Sequence, residues 1–349
     1  MSDSGIFNGF SRPFVIAGPC SAESEDQIMR TALALSEQGI SFFRAGVWKP
    51  RSHPDSFDGA GEIALGWLQR VRKELGMKTA IEVANTEHVE KALNHGVDIL
   101  WIGARTTTNP FMVQEIASSL EGVDIPVLVK NPVTPDLQLW AGALERFLKA
   151  GITNLSAVHR GFFFTEETKY RNSPGWYIPI ELKRLYPEIP LLCDPSHIAG
   201  NREYIRELSQ RAMDLNFDGL MIETHIDPDT ALSDNEQQVS PQELADILTS
   251  LKLKTPGAGI NPETQELNSM RARMDEVDEA IVRLISKRAD LAEQMGRYKR
   301  EHNISILQYD RWEEVLTKVL ALGDQSALDR NLLSQIYSIL HEISIGRQI

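Results

Sequence analysis

An α/β fold, a (β/α)8 barrel followed by a small all-α three-helix domain, is what three features of this sequence predict. Short apolar, β-branched runs alternate strictly with stretches of helical period from Phe14 to Leu251, the pattern of parallel strands joined by crossover helices. Gly39, Gly76, Gly96, Gly122 and Gly151 stand where helices should end, as left-handed caps require. After Leu253 the strand signals stop and amphipathic helical periodicity takes over.

In order, the strands are expected at Phe14–Ala17, Ser41–Ala45, Lys78–Val83, Ile99–Ile102, Val127–Lys130, Asn154–Val158, Leu191–Cys193 and Gly219–Glu223. Helical period falls between them at Glu25–Gln38, Ile63–Leu75, His88–Asn94, Met112–Leu120, Leu137–Lys149, Gly175–Leu185, Glu203–Leu215 and Pro241–Leu251. The seventh strand has the sharpest end: Asp194-Pro195 stops the ladder, because proline has no N–H to give and pushes the residue before it out of the helical region. Eight such pairs in about 250 residues suit a closed barrel. An open doubly wound sheet is the competing architecture. No G-x-G-x-x-G run follows the first strand, which counts against its dinucleotide-binding form.

Lys254-Thr255-Pro256-Gly257-Ala258-Gly259-Ile260-Asn261-Pro262 carries no periodicity and reads as a linker. The expected division is a barrel over 1–252, a linker over 253–263 and a helical domain over 264–349. One long helix is predicted from Glu266 to Glu301, with Leu267, Met270, Met274, Val277, Ile281, Leu284, Ile285 and Leu291 at helical spacing. Shorter helices follow at Tyr309–Leu322 and Asp329–Gly346. A helix of ~35 residues runs about 50 Å, more than two short helices can cover. A second copy of the chain is therefore expected to complete this core, as a homodimer or higher homo-oligomer.

Composition narrows the function. At 42% hydrophobic and 24% charged residues the chain is an ordinary globular one. Its net charge of −13 argues against nucleic acid as a partner, since polyanion binders need a basic face. Two cysteines, Cys20 and Cys193, build no disulfide framework, and a reducing cytoplasm is the expected compartment. The first residues lack a signal-peptide pattern and no apolar run approaches ~20 residues, so neither secretion nor a membrane is expected. Only about a dozen residues precede Phe14, and no further domain is expected there.

Each predicted strand ends in polar chemistry, and strand ends are where barrel active sites lie. Cys20, His197, Glu223 and Asp234 combine a thiolate, an imidazole and two carboxylates, a mixed set suited to Mn²⁺, Fe²⁺, Co²⁺ or Zn²⁺. Taken singly each has a bland alternative: a structural histidine, a small buried cysteine, a solvated loop acid. The cations Arg44, Lys49, Arg51, Arg105, Lys130 and Arg160 also fall at strand ends. Six on one face of an acidic protein would repel one another unless an anion neutralises them. Arginine suits phosphate and carboxylate through its planar fork, and lysine acts as a point charge. These residues point to a metal-assisted enzyme acting on phosphorylated, carboxylated small molecules.

The motifs GPCSxE, RAGxxKPRS, GAR, KNP, HRG, DPSH and MIETH closely resemble those of 3-deoxy-D-arabino-heptulosonate 7-phosphate (DAHP) synthases, TIM-barrel enzymes, in the subfamily related to 3-deoxy-octulosonate 8-phosphate synthase. The resemblance covers roughly residues 12–250. Glu223 lies 26 residues after His197, and Asp234 11 after Glu223, as in that family. The resemblance implies Cys20, His197, Glu223 and Asp234 as ligands of a divalent ion, Mn²⁺ ahead of Fe²⁺, Co²⁺ or Zn²⁺. It implies Arg44, Lys49 and Lys130 on the carboxylate of phosphoenolpyruvate, and Arg105 and Arg160 on its phosphate. Arg51 and Ser52 would take the phosphate of erythrose 4-phosphate, with Ser52 standing where threonine is common. The octulosonate synthases carry an Asn-Arg-Ser-Ser type of sequence where this chain has Lys-Pro-Arg-Ser, which favours the four-carbon aldose here. Lys49 would donate a proton and Glu82 would orient the attacking water.

In the tail, Arg271, Arg288 and Lys299 interrupt the apolar stripe, the last two lying 11 residues, about three whole turns, apart. Arg311, Ser344 and Gln348 follow. This pattern resembles the all-helical (type II) chorismate mutases over about residues 264–349. It implies Arg271, Arg288 and Arg311 on the substrate carboxylates, Ser344 beside them, and Lys299 and Gln348 at the ether oxygen. Gln308 stands where some members have an acid, and Trp312 where many have glutamate. The expected protein is a bifunctional enzyme of aromatic amino acid biosynthesis that also rearranges chorismate to prephenate. Two competing readings make the tail a module that binds chorismate or prephenate as feedback inhibitor of the barrel, or only a dimerisation bundle.

Overall fold

The structure, a computed structural model, describes residues 7, 12–48, 57–164, 169–254 and 262–349, with the side chains of 262–265 left out. Lys49, Arg51 and Ser52 therefore lie outside the described residues. The chain divides into two compact units, 1–256 and 257–349.

In the first unit β1 (Phe14–Gly18), α1 (Glu25–Glu37), β2 (Phe42–Arg44), α2 (Ile63–Leu75), β3 (Lys78–Val83), α3 (Thr86–Asn94) and β4 (Ile99–Ile102) follow one another. Next come α4 (Ala104–Thr107), α5 (Pro110–Ser119), β5 (Val127–Lys130), α6 (Leu137–Lys149), β6 (Leu155–His159) and α7 (Tyr177–Leu185). The unit closes with β7 (Leu191–Cys193), α8 (Pro195–Ala199), α9 (Ile205–Asp214), β8 (Gly219–Glu223) and α10 (Pro241–Ser250). Each strand pairs in parallel with the next, and β8 pairs with β1, closing the barrel. The open-sheet alternative is thereby excluded. The glycines at 39, 76, 96, 122 and 151 all have positive φ, which gives the helix ends their left-handed caps.

Two elements went unseen in the sequence, α4 and α8, because four or five residues are too few to display a period. The second could have been found: Asp194 N-caps α8 by accepting from the His197 N–H at 3.1 Å, with Pro195 at the first helical position.

Two buried layers form the core. One lies between sheet and helices and includes Leu65, Leu100, Val129, Leu144 and Ile222. The other unites Ile16, Phe42, Ala80, Ile99, Trp101, Leu128, Val158, Leu192 and Met221, one or two from every strand, with Phe7 and Phe14 at the N-terminal end. This second cluster fills the barrel. Side chains two apart on a strand share a face. The residues two beyond this inner layer, namely Arg44, Glu82, Lys130, Arg160, Asp194 and Glu223, therefore also point inward, at the C-terminal mouth.

The second unit is helical: α11 (Pro262–Glu301), α12 (Tyr309–Gln325) and α13 (Arg330–Gln348). Gly296 lets α11 and α13 touch, since a Cβ there would lie 2.6 Å from Gln348 Cα. Much of the apolar stripe of α11 stays exposed, including Met270, Met274, Val277, Ile281, Leu284 and Leu291. Among the described residues no helix is long and apolar enough to cross a membrane.

Candidate active sites of the two units

The floor of the barrel mouth is Trp101, fully buried. Its indole N–H donates to Glu82 Oε2 at 3.1 Å, and the Arg44 guanidinium and Lys130 ammonium lie 4.8 and 5.7 Å from its ring centroid. Gly103 leaves room for the Glu82 carboxylate, because a Cβ there would fall 2.0 Å from Glu82 Oε1. Arg44 is buried and pairs through Nη2 with Glu223 Oε1 at 3.1 Å. Its Nε and Nη1 are buried and meet no acceptor among the described residues. A guanidinium with two unmet buried donors is set up to receive an anion.

Asp194 anchors the opposite wall. It accepts from Lys130 Nζ at 2.7 Å and faces His197 Nδ1 at 2.8 Å. Burial pushes its carboxyl up, but His197, Lys130 and Arg44 outweigh this and hold it well below the usual carboxylate range. Burial lowers Lys130, with Asp194 partly restoring it, and burial likewise lowers His197 against the pull of Asp194. Arg160 is pushed down to about 10, first by burial, and the like charges of Arg171 and Arg105 push the same way. Arg105, exposed at the mouth, therefore lies within electrostatic reach of Arg160. Six charged residues predicted at strand ends, Arg44, Glu82, Arg105, Lys130, Arg160 and Glu223, thus gather at one mouth.

The four proposed ligands come together as two pairs. Cys20 Sγ lies 3.2 Å from Asp234 Oδ2, and His197 Nε2 lies 3.7 Å from Glu223 Oε1. No group of three or more such side chains closes round one point among the described residues. The donor chemistry nonetheless fits a borderline divalent ion. A thiol faces a carboxylate in one pair and an imidazole nitrogen faces a carboxylate in the other, and Asp194 Oδ2 lies 2.8 Å from the imidazole's Nδ1, where a metal-bound histidine usually has its supporting carboxylate. Cys193 is no competitor: it lies inside β7 and burial holds its thiol well above its ordinary value. Sequence reasoning gave Trp101 and Asp194 no role, although the cap-proline-histidine spacing was a usable signal for the latter.

In the helical unit contacts join Arg288, Ser344 and Gln348, and Lys299 lies 11 residues after Arg288 on α11. The Arg288 guanidinium donates to Ser344 Oγ and Leu340 O, and buried Lys299 donates to Ile306 O at 2.7 Å. Gln348 donates to Ser344 O at 3.1 Å, while its buried Oε1 meets no donor among the described residues. A groove of about 390 Å³, lined by Gln294, Met295, Tyr298, Lys299, Ile304 and Gln308, opens at Lys299. Trp312 stacks on His341 with ring centroids 4.0 Å apart. Burial lowers the His341 pKa, followed by the charges of Arg288 and Lys299. Arg271 and Arg311 do not join. Each is exposed and bonded locally, to Asn268 and Glu314. Arg271 precedes Lys299 by 28 residues on α11, about 42 Å along the axis.

Residues 1–256 match the family model described as the DAHP synthetase I family, and residues 270–349 match chorismate mutase type II. A phospho-2-dehydro-3-deoxyheptonate aldolase of Thermotoga maritima is 30% identical over 260 residues, 74% of each chain. A 2-dehydro-3-deoxyphosphooctonate aldolase of Wolinella succinogenes is 27% identical over 68% of this chain and 97% of its own length. The crystal structure of a Thermotoga maritima DAHP synthase superposes with a TM-score of 0.60 at 30% identity, covering 67% of both chains. The chain thus belongs to the DAHP synthetase I family, and its barrel is followed by a C-terminal domain of the type II chorismate mutase family.

Proposed function

We propose that the barrel condenses phosphoenolpyruvate with erythrose 4-phosphate to DAHP and phosphate with a divalent ion, Mn²⁺ ahead of Fe²⁺, Co²⁺ or Zn²⁺, and that the helical domain converts chorismate to prephenate. The observation that carries the barrel reading is the buried Arg44 guanidinium, with two donors unmet among the described residues, beside Lys130 above Trp101. These two cations take the carboxylate of phosphoenolpyruvate, and Arg160 and Arg105 take its phosphate. Cys20, His197, Glu223 and Asp234 would hold the ion, which would supply Lewis acidity to the aldehyde. C3 of phosphoenolpyruvate attacks the aldehyde carbon, water adds at C2, and phosphate leaves with its bridging oxygen. Glu82, held by the Trp101 indole, orients that water and accepts its proton. Lys49 donates to the new alkoxide, and Arg51 and Ser52 hold the aldose phosphate.

The mutase reaction is unimolecular and needs no nucleophile, only a held conformer and a cation at the breaking ether. Lys299 and Gln348 supply that pole, and Arg288, oriented by Ser344, holds a carboxylate. Arg271, about 42 Å along α11 from Lys299, cannot reach the same small ligand within one chain. This supports completion of the site by a second copy across the exposed stripe of α11, in a homodimer or higher homo-oligomer. Trp312 favours a second reading for this domain, a module binding chorismate or prephenate as feedback inhibitor. It puts an indole on His341 where a carboxylate would accept a substrate hydroxyl.

The test is crossed. In full-length protein His197→Ala should abolish phosphate release from phosphoenolpyruvate and spare prephenate formation, and Lys299→Ala should do the reverse. Chelator should remove only the first activity. An active His197→Ala enzyme removes it from the ligand set. Normal mutase turnover in Lys299→Ala refutes that assignment, and absent turnover in the unmodified protein, with prephenate inhibiting the barrel, establishes the regulatory reading.

A further inference from the structure

Two side chains at the barrel mouth take no part in the reaction described above, yet they tie the ligand set together. Gln237 is 1% exposed. Its Nε2 donates to Glu223 Oε2 at 2.7 Å, and its Oε1 accepts from Arg171 Nη1 at 2.9 Å. The same Arg171 nitrogen donates to Asp234 Oδ1 at 3.0 Å. Arg171 fixes the amide's orientation, because a guanidinium has only donors and a flipped amide would set NH₂ against it.

The consequence lies in how each carboxylate is turned. Glu223 gives Oε2 to Gln237 and Oε1 to Arg44 at 3.1 Å, and so presents Oε1 3.7 Å from His197 Nε2. Asp234 gives Oδ1 to Arg171 and presents Oδ2 3.2 Å from Cys20 Sγ. In each carboxylate one oxygen is held by the Gln237–Arg171 pair and the other lies toward a neighbouring candidate ligand. Asp234 holds this attitude from a left-handed backbone, φ 46°, a conformation tolerated by aspartate but maintained only where surroundings enforce it. The segment bearing Arg171 also clamps the third ligand. Asn172 Nδ2 donates to His197 O at 2.6 Å, and Gly200 clears space for Arg171, since a Cβ there would lie 2.3 Å from Arg171 Cβ.

We propose that Gln237, anchored by Arg171, is a positioning residue that orients the Glu223 and Asp234 carboxylates and so sets the affinity of the barrel for a divalent ion. The proposal rests on the metal reading of Cys20, His197, Glu223 and Asp234. Supporting partners of this kind govern ligand orientation, and their loss weakens metal binding by about 10–100-fold. Arg171 also acts as a like charge near the ion; anchoring and repulsion predict opposite signs when it is removed.

The experiment is a Mn²⁺ titration of the full-length protein, free metal being read by electron paramagnetic resonance, with no substrate present. Wild type is expected to bind about one Mn²⁺ per chain, and Gln237→Leu to bind it about 10–100-fold more weakly. Arg171→Met should weaken binding too, and Arg171→Lys, which keeps a donor and the charge, should recover most of the loss. Denaturant unfolding of the metal-free proteins runs alongside. A merely structural role would lower stability while leaving the Mn²⁺ affinity of the folded protein alone, and that outcome overturns the proposal. So does a Gln237→Leu affinity within twofold of wild type, or tighter binding by Arg171→Met. A wild type that takes up no Mn²⁺ overturns the metal reading itself.

Discussion

Replacing Gly103 by alanine tests the architecture beneath the proposed water site. Gly103 has φ −69° and ψ 157°, a backbone alanine adopts without strain, so the change isolates the contact its Cβ makes. Elsewhere such a Gly→Ala change stabilises by about 0.4–1 kcal/mol, through the unfolded chain. Here the Cβ falls 2.0 Å from Glu82 Oε1 and 2.8 Å from its Cδ, both inside the 3.0 Å that real Cβ contacts keep. The carboxylate must swing away, and its other oxygen is the acceptor of the Trp101 N–H at 3.1 Å. Trp101 is fully buried, so its stranded indole N–H costs about 1–3 kcal/mol. Set against the backbone gain, the middle of the two ranges leaves a net loss of about 1.3 kcal/mol, or roughly 3–5 °C in melting temperature for a unit of this size. Condensation should fall by about 10²-fold if Glu82 moves the proton of water. Urea unfolding and phosphate-release rates read the two effects. In a Glu82→Ala background the same change should become neutral or stabilising. A Gly103→Ala protein as stable as wild type, or an equal loss in both backgrounds, would refute the reasoning.

Three further outcomes follow from the same contacts. Arg44→Met should destabilise the barrel by up to about 3–5 kcal/mol in urea, because it removes the buried guanidinium paired with the fully buried Glu223; a loss below about 1 kcal/mol would mean the pair is not the buried one described. His159 lies among Trp140, Phe162, Trp176 and Phe217, and burial pushes its pKa down to about 3. The fold keeps it neutral while the unfolded chain takes up a proton below about 6.5, so its contribution is whole above that pH. It drains by about 1.4 kcal/mol per pH unit as pH falls toward 3, and His159→Leu should flatten the stability profile between pH 6 and 4 by that slope. Ser344→Ala removes a neutral acceptor from the charged Arg288 and should raise the mutase KM by about tenfold, equivalent to about 1.4 kcal/mol, with kcat little changed; a fall in kcat alone would contradict a carboxylate-holding role.

How much of this was legible in the sequence depends on what fixes a side chain in space. A strand in a closed barrel leaves its residues little freedom. Once Phe42, Ala80, Leu128, Val158 and Met221 are recognised as interior, Arg44, Glu82, Lys130, Arg160 and Glu223 two places on must share the mouth. Period and closure together therefore located most of the charged site. Asp194 was read as a strand stop, and its service to both Lys130 and His197 depends on contacts with no sequence period. Arg171 and Gln237 stand 66 positions apart, one on a bend and the other at the end of a single 3-10 turn, and only the folded chain introduces them. The helical tail marks the limit from the other side. Helical spacing gives Arg288 and Lys299 nearly a common azimuth, with Arg271 about 100° round the helix from Arg288, but azimuth on a 40-residue helix says nothing about axial distance. Arg288 joins Ser344, while Arg271 is left exposed about one turn from the start of the stripe at Leu267. A single closed barrel brings its functional residues to one point by construction. A long helix does so only when something else lies across it, and the exposed apolar face of α11 and the distant Arg271 are the two observations behind the proposed second chain.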